Sequence, residues 1–271
     1  MQKKFAVLGN PIAHSKSPQI HQAFAAQFNI ELSYERILVP LEGLVDALKQ
    51  FQQNGGLGVN ITVPFKIEAA QWVQQKSERA NKAGAVNTIT FKNEHWFGDN
   101  TDGIGLLRDL TQNHTIELTN KTILILGAGG ATKGILQPLL AANPANIIIA
   151  NRTLATAETL TGEFQNLGNC SACDLQNFPK QAYDLIINAT SAGVKGQRLA
   201  LPDYLINNNT FCYDLAYGAS AQPFLSWATQ HGVKNYCDGV GMLVEQAAEA
   251  FYIWHTVRPE TKSVIKLLTT A

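Results

Sequence analysis

The side chains best suited to acid–base chemistry in this sequence are one lysine and one aspartate, Lys66 and Asp102. Lys66 follows a Pro-Phe break at the end of a strand-like run, and Asp102 stands at the start of a helical stretch. Amides and hydroxyls occur at neighbouring strand ends, on Asn60, Thr62 and Asn87. A small polyhydroxylated substrate needs such a set, and the amine and carboxylate could move a proton.

Each of these residues taken alone also has a structural explanation. Lys66 could be a solvated helix residue, Asp102 could be a helix N-cap, and Asn87 could be a turn residue. Their occurrence together, at the ends of several strands, favours a binding site.

A second polar cluster follows the first strand, in the stretch GNPIAHSKSP at residues 9–18. It places Ser15, Lys16 and Ser17 in one turn, which is far more polar than most strand-to-helix turns require. The turn is therefore a candidate for holding part of a ligand.

The stretch ILILGAGGATKG, residues 123–134, indicates a phosphate-binding loop. An apolar strand leads directly into glycines and then a helix, so backbone amides at the helix N-terminus could approach a pyrophosphate. Thr132 replaces the third glycine of G-x-G-x-x-G, and the glycines alone could form only a tight turn. The flanking strand and helix favour dinucleotide binding.

The next strand ends in Asn151-Arg152-Thr153, where an NAD enzyme usually carries an acid for the ribose. No Asp or Glu occurs there, and an arginine favours the 2′-phosphate of NADP. The alternative is a solvent-facing arginine beside a helix capped by Thr153.

These residues require alternating strands and helices to position them. In the first part of the chain, apolar periodicity predicts βαβ-type alternation with mostly parallel strands. The predicted strands are 5–8, 34–39, 58–63 and 85–91, and the predicted helices are 18–28, 41–53, 66–76 and 103–110.

The pattern starts again, more regularly, after a polar connection at 111–121. The predicted strands are 122–126, 147–150, 183–188 and 210–215, and the predicted helices are 132–142, 154–167 and 241–255. The fold class predicted is α/β, with two α/β domains, a cleft between them, and a Rossmann-like second domain. We expect a substrate-binding catalytic domain at 1–110, an NADP-binding domain at 111–238, and C-terminal helices at 239–271 that pack back on the first domain.

The composition limits the partners. The 271 residues are 45% hydrophobic, and 21 basic residues balance 21 acidic ones. Balanced charge gives no electrostatic reason to expect nucleic acid or an anionic membrane as partner. With no signal-peptide core and no apolar run of about 18 residues, we expect a cytoplasmic protein.

The cysteines do not predict a metal or redox site. Cys170 and Cys173 form a lone CxxC without a second pair, between a helical stretch and the loop 174–180. A zinc site or a thioredoxin-like motif would need a different context. We expect reduced, structural cysteines, and no metal ligand set is visible.

Eight blocks, in order, carry a family resemblance. They are GNPIAHSKSP, VNITVPFK, AGAVNT, GDNTDG, GAGGATKG, NRT, INATSAG and DGVGMLVEQ. Over nearly its whole length the chain resembles the shikimate dehydrogenase family. The resemblance implies reversible, NADP-dependent reduction of 3-dehydroshikimate to shikimate in aromatic amino-acid biosynthesis.

The resemblance also implies roles for individual residues. Lys66 and Asp102 would be the catalytic pair, and Ser15 and Ser17, with Lys16 between them, would hold the substrate carboxylate. Other implied substrate contacts are Asn60, Thr62, Lys66, Asn87, Asp102, Tyr217 and Gln246. Implied NADP contacts are Glu78, Gly127, Ala128, Gly129, Gly130, Ala131, Asn151, Arg152, Thr153, Leu154, Ala155, Thr156, Thr190, Leu215, Gly239 and Met242.

Two positions depart from the family pattern. Many members carry a second arginine four residues after Arg152, as a clamp on the 2′-phosphate, and Thr156 stands there instead. Leu215 stands where a methionine is common beside the nicotinamide. Arg152 would therefore act alone.

Two other functions remain open on the sequence. One is a quinate/shikimate dehydrogenase that uses NAD, which would suit an acid after the second cofactor-domain strand. The other is a catalytically silent NADP-binding sensor, which would be expected to lack Lys66 or Asp102. The chain could act as a monomer or a homodimer on its small-molecule substrate.

Overall fold

The computed structural model describes residues 2–92, 95–193, 196–197 and 199–270. The chain forms two compact units. The first comprises Met1–Leu106 and Leu243–Ala271, and the second comprises Leu107–Met242. The chain thus passes between units at 106/107 and 242/243, where the sequence suggested 110/111 and 238/239.

A six-stranded mixed sheet forms the centre of the first unit, in the order β2-β1-β3-β5-β6-β4. β1 pairs in parallel with β2 and β3, whereas β5 is antiparallel to both β3 and β6. The strands are β1 (Lys3–Gly9), β2 (Leu32–Leu38), β3 (Gly56–Ile61), β4 (Gln75–Lys76), β5 (Thr88–Lys92) and β6 (His95–Asp99). The helices are α1 (Ser17–Gln27), α2 (Leu44–Gln53), α3 (Lys66–Trp72), α4 (Glu78–Ala83) and α5 (Asp102–Arg108).

All strand pairs in the second unit are parallel, in the order β12-β11-β10-β7-β8-β9. This is the 3-2-1-4-5-6 order of a doubly wound nucleotide-binding fold. The strands are β7 (Thr122–Leu126), β8 (Asn146–Asn151), β9 (Cys170–Asp174), β10 (Leu185–Asn188), β11 (Phe211–Asp214) and β12 (Asn235–Cys237). The helices are α6 (Gly130–Ala141), α7 (Leu154–Phe164) and α8 (Gln222–Gln230). The predicted α/β class and Rossmann-like second domain are confirmed.

Two helices follow at the C-terminal end, α9 (Val240–His255) and α10 (Lys262–Thr269). From Leu243 onward they belong to the first unit. Aromatic side chains of α9 pack against β1 and α1, with Trp254 stacked on Phe5 at 4.5 Å and Phe251 against Phe24. No helix of the described chain is long and apolar enough to span a bilayer.

Several predicted elements need correction. The helix predicted at 66–76 ends at Trp72, because the backbone of Val73 is extended. The helix predicted at 41–53 begins only at Leu44. The CxxC pair, expected between a helix and a loop, lies on the edge strand β9, whose half-buried small residues gave no strand pattern. The sequence also missed β4, β6, α4, α8 and β12, most of which are too short to show periodicity.

Two histidines in the first unit, His21 and His255, are buried among aromatic rings. Both ring nitrogens of His21 and of His255 have no hydrogen-bond partner, and His21 stacks on Tyr34 at 4.4 Å. Burial lowers the pKa of His21 from 6.5 to about 3, and repulsion from His255 contributes to this shift. A polar interaction with the Asn60 side chain acts in the opposite direction. Burial lowers the pKa of His255 to about 4, and the positive charge of Lys3 contributes to this shift. The folded chain therefore favours both rings in their neutral form.

The free energy of unfolding should fall as the pH drops below 6.5 toward 4, since the unfolded chain then binds protons that the folded chain excludes. His21 alone should account for about 3 kcal/mol over that range. His21→Phe should flatten the pH dependence in urea unfolding, and replacing the exposed His95 by Phe should not. An unchanged slope in His21→Phe would contradict this assignment.

Candidate active site

The proposed proton-transfer residues form a short ion pair in the first unit. Lys66 Nζ lies 2.6 Å from Asp102 Oδ2. Lys66 is the first residue of α3 and Asp102 the first residue of α5, so each side chain projects from a helix start. The lysine side chain is 30% exposed and the aspartate 16%, so the pair can meet a ligand from solvent.

Asn87 fixes the second oxygen of the same carboxylate. Its Nδ2 donates to Asp102 Oδ1 at 2.8 Å and to Thr101 Oγ1 at 2.9 Å. Its Oδ1 accepts from Thr101 N at 2.9 Å, and the side chain is buried. Asn87 is therefore a network residue and not a turn residue. Asp102 also does not use its side chain as a cap, since the carboxylate bonds to Lys66 and Asn87.

Gln246 reaches this network from α9. Its Oε1 lies 3.4 Å from both Asn87 Nδ2 and Thr101 Oγ1, and its Nε2 donates to Leu243 O at 2.8 Å. A glycine at position 105 permits this approach, because a Cβ there would meet Gln246 Cβ at 2.7 Å. Because Gly105 has no side chain, α9 can approach α5 closely enough for Gln246 to reach the network.

Asn60 is buried and already engaged on both sides of its amide. Its Oδ1 accepts from Tyr34 Oη at 2.6 Å, and its Nδ2 donates to Thr88 Oγ1 at 3.1 Å. Thr62, two residues on, is half-buried, and its methyl group packs near Gly9. Sequence reasoning missed Tyr34, Thr88 and Thr101, which carry no charge and stand in ordinary strand or loop contexts.

The serine cluster lies at the start of α1. Ser15 Oγ is 3.2 Å from Ser17 Oγ and accepts from Ser17 N at 3.3 Å. Arg36 Nε donates to Ser15 O at 2.8 Å, which anchors the turn to β2. Lys16 between the serines is half-buried. Two adjacent hydroxyls at the positive end of an eleven-residue helix suit a carboxylate.

The glycine loop of the second unit joins β7 to α6. Gly127 has φ of +99°, a conformation that favours glycine. Thr132, which replaces the third glycine, is buried and donates from Oγ1 to Gly127 O at 2.7 Å. This hydrogen bond stabilises the loop, so the loop keeps its shape although a threonine replaces the third glycine of the motif.

A cavity of about 390 Å³ opens above this loop. A Cβ built on Gly129 or Gly130 meets nothing within 4 Å, so the backbone there is open to a ligand. The lining residues are Gly127, Ala128, Gly129, Gly130, Ala131, Asn151, Arg152, Leu175, Ala189, Thr190, Ser191, Ala192, Gln197 and Leu199. Eight of the predicted cofactor contacts are thus brought together.

Arg152 is exposed at the edge of that cavity, and no ion pair within the described residues involves it. Asn151 is held by two bonds, accepting from Ala128 N at 3.3 Å and donating to Thr153 O at 2.9 Å. Thr153 is the N-cap residue of α7, but its side chain makes no capping bond. Leu154, Ala155 and Thr156 follow, exposed, in the first turn.

The remaining predicted cofactor residues lie outside the cavity lining. Leu215 and Gly239 are in close backbone contact with each other elsewhere in the second unit. Thr190, by contrast, lines the cavity, and its Oγ1 donates to Asn188 Oδ1 at 2.8 Å. Met242 N donates to Tyr213 Oη at 3.2 Å. Glu78 is exposed in the first unit, at the first residue of α4.

Tyr217, predicted as a substrate contact, belongs to the second unit, and burial raises the pKa of its phenol. The loop before it is fixed by Asp214, which sequence reasoning missed. Asp214 accepts from Asn188 Nδ2 at 2.7 Å and Ala216 N at 2.8 Å, and burial raises its pKa to about 6.

Three family descriptions match successive parts of the chain. Residues 7–89 match the shikimate dehydrogenase substrate binding domain, residues 109–196 match shikimate / quinate 5-dehydrogenase, and residues 239–269 match the shikimate 5′-dehydrogenase C-terminal domain.

Full-length relatives agree with these matches. The chain is 48% identical over 268 residues to the shikimate dehydrogenase (NADP(+)) of Alkalilimnicola ehrlichii, covering 99% of both chains. It resembles an Ael1 enzyme from Pseudomonas putida with a TM-score of 0.94 and 42% identity, over 98% of each chain. A shikimate 5-dehydrogenase from Thermus thermophilus, solved with NADP(H) and shikimate, has a TM-score of 0.88 and 32% identity over 99% of each chain.

Gly129→Ala should weaken NADPH binding about tenfold or more without lowering thermal stability. The added methyl group meets no protein atom but would occupy the space through which a pyrophosphate approaches the backbone. Fluorescence titration and thermal melting measure the two effects. Gly162→Ala, on α7 and equally uncrowded, is the matched control and should bind as wild type. Equal affinity in the two variants would contradict the phosphate-loop assignment.

Proposed function

The chain belongs to the shikimate dehydrogenase family, and on that premise we propose that it reduces 3-dehydroshikimate reversibly to shikimate with NADPH. The reaction belongs to aromatic amino-acid biosynthesis. The observation that carries the proposal to this chain's own residues is the 2.6 Å contact between Lys66 Nζ and Asp102 Oδ2. The contact supports the proposal because a ligand hydroxyl could donate to the Asp102 carboxylate and accept from the Lys66 ammonium group, and a ligand carbonyl oxygen could accept from Lys66.

Bound NADPH supplies a hydride to the substrate ketone carbon. The electron pair of the carbonyl π bond moves to oxygen, and the developing alkoxide takes a proton from the Lys66 ammonium group. In the reverse direction, the neutral amine of Lys66 removes the hydroxyl proton as the hydride leaves. Asp102 keeps the lysine in position and accepts a hydrogen bond from the same substrate hydroxyl.

The substrate carboxylate is assigned to the two hydroxyls at the start of α1. Ser15 and Ser17 lie side by side there, and Arg36 holds the backbone of the turn. Ring hydroxyls are assigned to the amide network and the catalytic pair. The proposed substrate contacts are Ser15, Lys16, Ser17, Asn60, Thr62, Lys66, Asn87, Asp102, Tyr217 and Gln246.

Burial separates these contacts into two kinds. Asn60 is 6% exposed and Asn87 is 2% exposed, and both amides bond within the protein. Besides the proposed substrate contacts, Asn87 holds Asp102, and Asn60 bonds to Tyr34 and Thr88. Lys66, at 30% exposure, can meet the reacting oxygen directly.

The cofactor is assigned to the cavity above the glycine loop, with its pyrophosphate on the open backbone of Gly129 and Gly130. Arg152 at the cavity edge would pair with the 2′-phosphate, since no acid stands there to bind a ribose hydroxyl. The first turn of α7, Glu78, Leu215, Gly239 and Met242 remain assigned to NADP by family resemblance.

Two alternative functions, NAD-dependent use of quinate and catalytically silent NADP sensing, have less support from these residues. NAD use with quinate would suit an acid at the position of Arg152. A silent NADP sensor would not need the bonded pair of Lys66 and Asp102. We place the enzyme in the cytoplasm, as a monomer or homodimer acting on a diffusible substrate.

Lys66→Ala should lower kcat by about 10²–10⁴-fold, because the alkoxide loses its positioned proton donor. The variant should keep its circular dichroism spectrum and its affinity for NADPH. Lys82→Ala, an exposed lysine in the last turn of α4, is the matched control and should retain activity. Near-wild-type kcat for Lys66→Ala would rule out the lysine as the proton donor.

Arg152→Ala should weaken NADP binding by roughly 1.5–3 kcal/mol, because a charged contact to the 2′-phosphate is lost. The affinity for NAD should change little, since NAD has no phosphate at that position. Isothermal titration with both cofactors measures the difference, with the exposed Lys180→Ala in the same unit as control. Equal loss for NADP and NAD would make Arg152 a structural residue.

A further inference from the structure

A cluster of three ligand-type side chains lies in the second unit, outside the cavity lining. Asp109, His114 and Cys237 offer a carboxylate oxygen, an imidazole nitrogen and a sulfur, and these atoms all lie within 4.8 Å of one another. The proposed reaction uses none of them. Cys237 is far along the chain from the other two, so no ligand spacing could be recognised in the sequence.

The carboxylate in this cluster is buried, and no lysine or arginine of the described residues forms an ion pair with it. Asp109 is 1% exposed and accepts from Tyr213 Oη at 2.7 Å and Asn113 Nδ2 at 2.9 Å, both uncharged donors. His114 Nε2 lies 3.7 Å from Asp109 Oδ2, and that imidazole carries a positive charge only when it is protonated. Buried carboxylates are normally paired with a positive charge or bound to a metal.

We propose that Asp109, His114 and Cys237 bind a zinc ion. Nitrogen, sulfur and a single carboxylate suit Zn²⁺, whereas Mg²⁺ and Ca²⁺ require oxygen ligands. Zinc–ligand bonds of about 2.0–2.3 Å place neighbouring tetrahedral ligands roughly 3.3–3.8 Å apart. The 3.7 Å between His114 Nε2 and Asp109 Oδ2 is a few tenths of an ångström longer than the roughly 3.3–3.5 Å expected for a nitrogen and an oxygen on one zinc ion.

The ligand atoms lie within 4.8 Å of one another and must come closer together to share one ion. His114 and Cys237 are each partly exposed, so they can adjust and an ion can enter. Three protein ligands leave the fourth tetrahedral position to water.

Neighbouring side chains hold the carboxylate of Asp109 in place. The bonds from Tyr213 and Asn113 fix its orientation, and such bonds commonly position metal ligands. Gly241 packs directly against the carboxylate, because a Cβ there would collide with its oxygens. The ring of His114 packs against Phe211 at 5.2 Å.

Zinc at this position would link two ends of one unit. Asp109 and His114 lie near the start of the second unit and Cys237 near its end. An ion that binds only the folded arrangement stabilises it by mass action.

The test is metal titration of the tag-free, chelator-treated full-length chain. Cobalt should bind in one equivalent with a thiolate-to-cobalt charge-transfer band, and zinc should displace it and raise the melting temperature. Cys237→Ser should abolish the band, and His114→Gln should weaken zinc binding at least tenfold. Cys170→Ser, which alters the CxxC pair on β9, is the matched control and should bind as wild type.

These outcomes decide the proposal. A wild-type chain without the cobalt band overturns it, as does wild-type zinc affinity in Cys237→Ser or His114→Gln. A band lost in Cys170→Ser and kept in Cys237→Ser moves the site to the CxxC pair. If Cys237→Ser unfolds by circular dichroism, the partly exposed His114→Gln carries the decision. Because binding is measured without substrate, failure here leaves the proposed dehydrogenase activity untouched.

Discussion

The proposed site of the first unit depends on the carboxylate of Asp102. One oxygen is bonded to Lys66 and the other to Asn87, at 2.6 and 2.8 Å. Because both oxygens are committed, the carboxylate cannot rotate without breaking a bond, and the lysine at the start of α3 is held in turn. The strands and helices around it bring three distant segments to one carboxylate.

The second unit's proposed ligand site includes the open backbone of the glycine loop. Gly127 supplies the turn, Gly129 and Gly130 leave their amides open, and β8 ends beside them in Asn151 and Arg152. A backbone site tolerates changes in side chains that do not enter the cavity. Thr132 is such a change, since its hydroxyl points back to Gly127 O and leaves the cavity unobstructed.

The sequence predicted the fold class and most strands, because β7, α9 and the glycine loop carry long, clear patterns. It could not predict β9 or β12, where short runs of small or polar residues pair at sheet edges. It also could not reveal Thr101, Tyr34 or Asp214, which are common residue types whose roles arise from burial and distant partners. The grouping of Asp109, His114 and Cys237 depends on the fold in the same way.

The two units differ in where their charged side chains lie. The net charge is zero, so attraction of an anionic cofactor must come from local groups. In the second unit those groups are uncharged amides and one exposed arginine, Arg152, with Thr156 where a second cation could have stood. Amides recognise the pyrophosphate of any dinucleotide alike, so with the proposed role of Arg152 the choice between NADP and NAD would rest on a single charge. In the first unit Lys66 and Asp102 carry opposite charges in direct contact, and the role proposed for them is proton transfer.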